Sequence, residues 1–117
     1  MASHHPLRVL FFCTEAGNEP VREWLKSLPK DERTIIGEDI KTVQFRWPLG
    51  MPLVRHLDGK LYEIRTNLPR RTSRILFFVH ESVLIVAHGF FKKTRQTPDG
   101  DLNLAKKRMR DYLKAYE

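Results

Sequence analysis

The first stretch with a clear pattern is residues 7–14, Leu7-Arg8-Val9-Leu10-Phe11-Phe12-Cys13-Thr14, which is apolar and rich in aromatic and branched side chains. It predicts a strand buried on much of both faces. Glu15-Ala16-Gly17-Asn18 interrupts it, and Asn18 or Glu19 can cap a helix whose first residue is Pro20, a position that proline tolerates. Val21, Trp24, Leu25 and Leu28 then recur with helical spacing and form one stripe. Leu28-Pro29 ends that helix, because the residue before a proline disfavours the helical region. A second helix starts near Pro29 to Asp31, is marked by Ile36, Ile40, Val43 and Trp47, and stops at Pro48. So short a connection predicts an antiparallel helical hairpin.

Residues 48–59 contain two prolines and two glycines and read as a loop. Three strands follow. Residues 60–67 alternate, with Leu61, Glu63 and Arg65 on one side and Tyr62 and Ile64 on the other; residues 73–80 and 83–91 are the next two. The short turns at Pro69-Arg70-Arg71 and Glu81-Ser82 favour an antiparallel meander. After Pro98-Asp99-Gly100 a last helix carries the stripe Leu102, Ala105, Met109, Tyr112, Leu113, Tyr116 and, opposite it, Lys106, Lys107, Arg108, Arg110 and Lys114. The order is β-α-α-β-β-β-α, an α+β fold in which an antiparallel sheet buries the stripes of a helical hairpin and a C-terminal helix.

A length of 117 residues suits one domain spanning residues 1–117, with residues 1–6, including His4 and His5, as a mobile polar end. No apolar run approaches membrane-spanning length, and no secretion signal is evident, so a cytoplasmic protein without membrane contact is expected. Cys13 is the single cysteine and reads as a buried structural thiol rather than a nucleophile. The net charge of +7 is unevenly placed. Residues 1–59 balance to zero, residues 60–97 carry +6 and residues 98–117 carry +1. So local a positive field fits a polyanionic partner.

Strand order brings Arg65, Arg74, Lys92 and Lys93 towards one edge of the sheet, subject to register, with Lys93 directed to the opposite face from Lys92. Arginine forks and lysine point charges there would bind phosphate and stabilise a phosphorane-like transition state. A solvated charged edge that keeps the sheet from pairing with other chains is the alternative. Lys60, Arg70, Arg71 and Arg95 add to the patch as RNA-phosphate contacts. Of Phe90 and Phe91, one belongs to the core and the other can stack on a base, Phe91 being the RNA-binding candidate. His88 reads either as a partly buried histidine bonded to backbone or as a proton-transfer group. Gly89 suggests a bulge or the close approach of another backbone. Trp24 and Trp47 read as core. His56, His80 and His88 are scattered, no metal site is expected, and no phosphate-binding glycine loop, CxxC or HExxH motif occurs.

Leu61-Tyr62-Glu63-Ile64-Arg65, Ser73-Arg74-Ile75-Leu76-Phe77-Phe78, Ala87-His88-Gly89-Phe90-Phe91-Lys92-Lys93-Thr94, Thr97-Pro98 and the basic Ala105-Lys106-Lys107-Arg108 together resemble the phage-derived Gp49-like branch of the HigB/RelE toxin superfamily. The resemblance runs over about residues 7–114. It implies a RelE-like fold and the toxin of a type II toxin–antitoxin system: a ribosome-dependent mRNA endonuclease (mRNA interferase) that needs no cofactor. In that chemistry the ribose 2′-OH attacks the adjacent phosphate. It implies Arg65, Arg74, Lys92 and Lys93 as catalytic candidates, with His88 the only histidine near them. Some relatives place a tyrosine or a histidine pair at the end of the last strand, where this chain has Phe91, so the general acid is left open. The implied partners are mRNA, the ribosome and a cognate antitoxin, a helix-turn-helix protein from the adjacent gene. That antitoxin would cover the basic edge or dock near Leu49, Met51 and Leu53. The alternatives are a non-catalytic RNA- or ribosome-binding module on the same scaffold and a domain that docks an acidic protein.

Overall fold

The computed structural model describes residues 5–116, so part of the expected mobile end, residues 1–4, lies outside the described residues. Along the chain come β1 (Arg8–Phe11), α1 (Pro20–Lys26), α2 (Lys30–Arg46), β2 (Val54–Asp58), β3 (Leu61–Asn67), β4 (Thr72–His80), β5 (Val83–Phe91) and α3 (Asp99–Ala115). The fold is α+β, with one strand more than the pattern predicts. The expected loop 48–59 contains β2, an edge strand that pairs antiparallel with β3 alone. Only Val54 of its five residues is buried, so its pattern is too short and too polar to stand out between Pro52 and Gly59.

The five strands lie in the order β1-β5-β4-β3-β2, all antiparallel except β1 against β5. β1 is the other edge and is shorter than expected. Val9 and Phe11 pack towards the helical hairpin while Leu10 is exposed. The strand ends before Cys13, whose thiol is exposed and not buried as the apolar run suggested. The β4–β5 turn places Glu81 and Ser82 at positive φ, 49° and 65°. Two such residues twist the hairpin as paired strands require.

Each face of the sheet has its own core. On one, Ile64, Ile75, Phe77, Leu84 and Val86 pack with Val21 of α1 and Ile36, Ile40 and Val43 of α2. Trp24, Trp47, Leu49 and Leu53 are partly buried against this layer, whereas Met51 is exposed. Fully burying side chains of this size stabilises by about 1.5–3 kcal/mol each. On the other face, Leu61, Leu76, Phe78, Ile85 and Ala87 pack with Ala105 of α3 and with Leu102, Met109, Tyr112 and Leu113 around it.

β5 bulges. Phe77 pairs with Val86 and Leu76 with His88, so Ala87 is the extra residue. Its carbonyl accepts from Arg108 Nη1 of α3 at 2.9 Å. The bulge thus falls two residues before Gly89, and what approaches Gly89 is a side chain, not a backbone. A Cβ there would stand 2.8 Å from Cζ3 of Trp24. Gly89 is the slot that seats Trp24 on the sheet.

Candidate nucleic-acid interface

Register places the candidate cations. Arg65 lies directly opposite Arg74, and Arg74 opposite Phe90. One row along, Arg55 pairs with Glu63, Glu63 with Leu76, and Leu76 with His88. Directly paired residues share a face, and Leu76 belongs to the α3 core, so Arg55, Glu63, Arg65, Arg74, His88 and Phe90 all lie on the α3 face. Lys92 extends the ladder, its N–H donating to Thr72 O at 2.8 Å. Lys93 instead lines a cavity of about 340 Å³ with Trp24, Gly89, Phe90, Phe91, Pro98 and Asp101. Lys60, beside the β2–β3 turn, is at the opposite end of the sheet. The intervening length of β3 is about 20 Å at the usual rise per residue, so Lys60 does not join the others.

Arg74 is not an open phosphate fork. Its side chain and that of Glu63 are both 0% exposed, with Nε and Oε2 3.7 Å apart. Nη2 donates to the main-chain carbonyl of Arg95 at 2.9 Å, and Thr97 Oγ1 donates to Glu63 Oε2 at 2.8 Å. The segment 92–98, between β5 and α3, thus lies over β4 and β3 and covers both residues. Burial holds the Arg74 pKa below the usual guanidinium value; Glu63 opposes this, and the nearby charges of Arg65 and Arg55 add to it. Arg74 still carries its charge near neutrality.

Around this buried pair, Arg55 and Arg65 are half-buried, and Arg70, Lys92, Lys93 and Arg95 are exposed. None of the six has a carboxylate within ion-pair distance among the described residues. Arg71 differs: its Nε and Nη2 donate to both oxygens of Glu32 at 3.0 and 2.6 Å. Its guanidinium also lies 3.5 Å from the centroid of the Phe91 ring, which Trp24 contacts at 5.1 Å. Arg71 and Phe91 therefore clamp the hairpin to the sheet, and the bond from Arg71 holds the Glu32 carboxyl below its usual value.

His88 is half-buried and bonded to a carboxylate, not to backbone. Its Nε2 lies 2.6 Å from Asp101 Oδ1, and its ring stacks on Phe90 at 5.5 Å. Asp101 sits in the first turn of α3, where the helix dipole favours a negative charge. A carboxylate accepting from Nε2–H fixes the orientation of the ring. Among the described residues no group of three His, Cys, Asp or Glu side chains is placed to hold a metal ion.

The pattern did not reveal four members of this surface. Arg55 falls in the unrecognised β2 and was counted with the neutral half of the chain. Glu63 shows only as one position in an alternating strand, and Thr97 and Asp101 lie beyond the last strand with no periodicity to mark them. A β2 assignment would have signalled Arg55, since it places Arg55 beside Glu63.

The model of the family described as Phage derived protein Gp49-like (DUF891) matches residues 23–110, from α1 into α3. No curated protein sequence matches the chain.

Proposed function

The chain belongs to the phage-derived Gp49-like family, and from that premise we propose that it is the toxin of a type II toxin–antitoxin pair, an endoribonuclease that cuts mRNA on the ribosome. The observation that carries this reading is the grouping of Arg55, Arg65 and Arg74 around one buried carboxylate, Glu63. Three guanidiniums with one counter-charge repel one another. An arriving phosphodiester relieves that repulsion and gains bidentate contacts.

In this reading the ribose 2′-OH attacks the adjacent phosphorus, a 2′,3′-cyclic phosphate forms, and the 5′-oxygen leaves with a proton. Arg55 and Arg65, with Arg74 behind them, stabilise the charge gathering on the phosphoryl oxygens. Lys92, Lys93 and Arg95 hold the flanking phosphates. His88, oriented by Asp101, exchanges its proton at Nδ1. The same unpaired cations attract an acidic segment of the antitoxin, a helix-turn-helix protein encoded alongside, and speed its association.

The test is to add purified protein to translating ribosomes and map the mRNA ends. Discrete cuts should appear, and Arg65→Ala should slow them roughly 100- to 1000-fold with thermal stability retained. If the wild-type protein makes no cuts, the enzyme reading fails. One observation favours the non-catalytic alternative, an RNA- or ribosome-binding module: Arg74 is sealed beneath the segment 92–98. Salt-steep RNA retention without cleavage would establish that module.

A further inference from the structure

We propose that the segment 92–98 is an internal occupant of the anion site, and that a phosphate-bearing ligand binds by displacing it. The identity of the physiological ligand rests on the RNA reading above; the displacement itself does not.

Arg74 is fully buried, yet only Nη2 of its donor nitrogens makes a hydrogen bond, and its acceptor is the Arg95 carbonyl. Nε, 3.7 Å from Glu63 Oε2, and Nη1 make none, and Glu63 Oε1 accepts none. Buried charged groups ordinarily have their hydrogen bonds satisfied, because each unmet one is expensive. The Arg95 carbonyl oxygen sits where a phosphate oxygen would sit on the same nitrogen. A phosphate placed side-on would take Nη2 and Nε, which makes no hydrogen bond of its own, together, the two-bond arrangement that favours arginine for this ligand.

The cover is weakly held. Residues 92–98 form no strand or helix, and 92–96 are exposed. Its ends are tied by main-chain bonds, Lys92 N–H to Thr72 O and Leu102 N–H to Pro98 O, but between them only two hydrogen bonds join it to the side chains beneath, from Arg74 to Arg95 O and from Thr97 to Glu63. Another, Thr94 Oγ1 to Gln96 O, is internal to the segment. Beneath the segment, Arg55 and Arg65 stand close enough to repel Arg74. In the closed form nothing offsets that repulsion except Glu63, which is bonded to Thr97. An anion attracts these guanidiniums while it competes with the Arg95 carbonyl for Arg74. Apparent affinity is therefore the intrinsic affinity reduced by the fraction of molecules with the segment lifted.

Inorganic pyrophosphate, an anion with neither base nor ribose, is the probe. Amide exchange across residues 92–98 of the full chain is followed with and without it at low salt, and its affinity is measured for wild type, Thr97→Val and Thr97→Ser. Pyrophosphate should speed exchange in the segment. Thr97→Val, which loses the bond to Glu63, should bind about tenfold tighter, and Thr97→Ser, which keeps the hydroxyl, should match wild type. Exchange that is slowed or unchanged on binding, no gain for Thr97→Val, or no binding by any of the three overturns the proposal. A protein that opens to pyrophosphate but never cuts RNA upholds displacement and removes the enzyme reading.

Discussion

On the hairpin side of the sheet, Ile64, Ile75, Phe77, Leu84 and Val86 meet Ile36, Ile40 and Val43 in a continuous apolar layer. Its buried charge, Glu32, sits at the margin under the Arg71 clamp. On the other side, Leu61, Leu76, Phe78, Ile85 and Ala87 form a comparable layer beneath α3. Beyond the start of that helix the same face buries Glu63 and Arg74 under an irregular segment. A helix satisfies its own main chain and brings an apolar stripe. An irregular segment brings open carbonyls and exposed charges, and what lies beneath it has to be polar. The two covers differ in kind, and the chemistry collects where the cover is irregular.

The contrast can be broken at its strongest point first. Phe77 is fully buried, with Trp47 at 5.5 Å and Tyr62 at 5.8 Å. Phe77→Ala should cost about 3–5 kcal/mol in urea unfolding; a much smaller loss would mean that the hairpin layer is looser than described. On the charged side, Arg74→Met leaves the Glu63 carboxylate buried without its counter-ion and should cost about 3 kcal/mol, whereas Arg74→Met with Glu63→Gln should recover most of the loss. Equal stability of the single and double variants would show that the pair is not coupled. A smaller effect tests the seat of Trp24: Gly89→Ala forces a Cβ to within 2.8 Å of the ring and should cost about 1–3 kcal/mol. An unchanged melting temperature would contradict the packing.

The smallest effect is the pH response of the clamp. Arg71 holds the Glu32 pKa low in the folded state. The stability this gives is fully present above the ordinary glutamate range of about 4.3 and is lost as pH falls through the depressed folded value. Melting curves from neutral pH down to about pH 3 should therefore fall more steeply for wild type than for Arg71→Ala. Parallel curves would mean that the clamp contributes no linkage.

How legible these features were depended on regularity. β3, β4 and β5 were readable because their alternation and turns agree, and both hairpin helices because their stripes end at prolines. β2 escaped because five residues with one buried position carry little pattern, and Arg55 was overlooked with it. Cys13 was misplaced because an apolar run does not reveal that a strand has a single neighbour. The burial of Arg74 could not be read at all: it depends on where residues 95 and 97 cross the sheet, and chain crossings leave no periodic trace. Likewise the contacts of Arg71 with Glu32 and of Phe91 with Trp24 join residues distant in sequence, which no local pattern marks.

The parallel pairing of β1 with β5 bears on how the protein is made. Arg8 has its partner in Val83, so β1 is made long before the strand that becomes its neighbour. Pairings of such long separation form late in folding. β5 also carries His88 and leads directly into residues 92–98. During synthesis β2, β3 and β4, which carry Arg55, Glu63, Arg65 and Arg74, are made before β5. Their cover follows β5, so a chain that stops before residue 92 carries these charges without it.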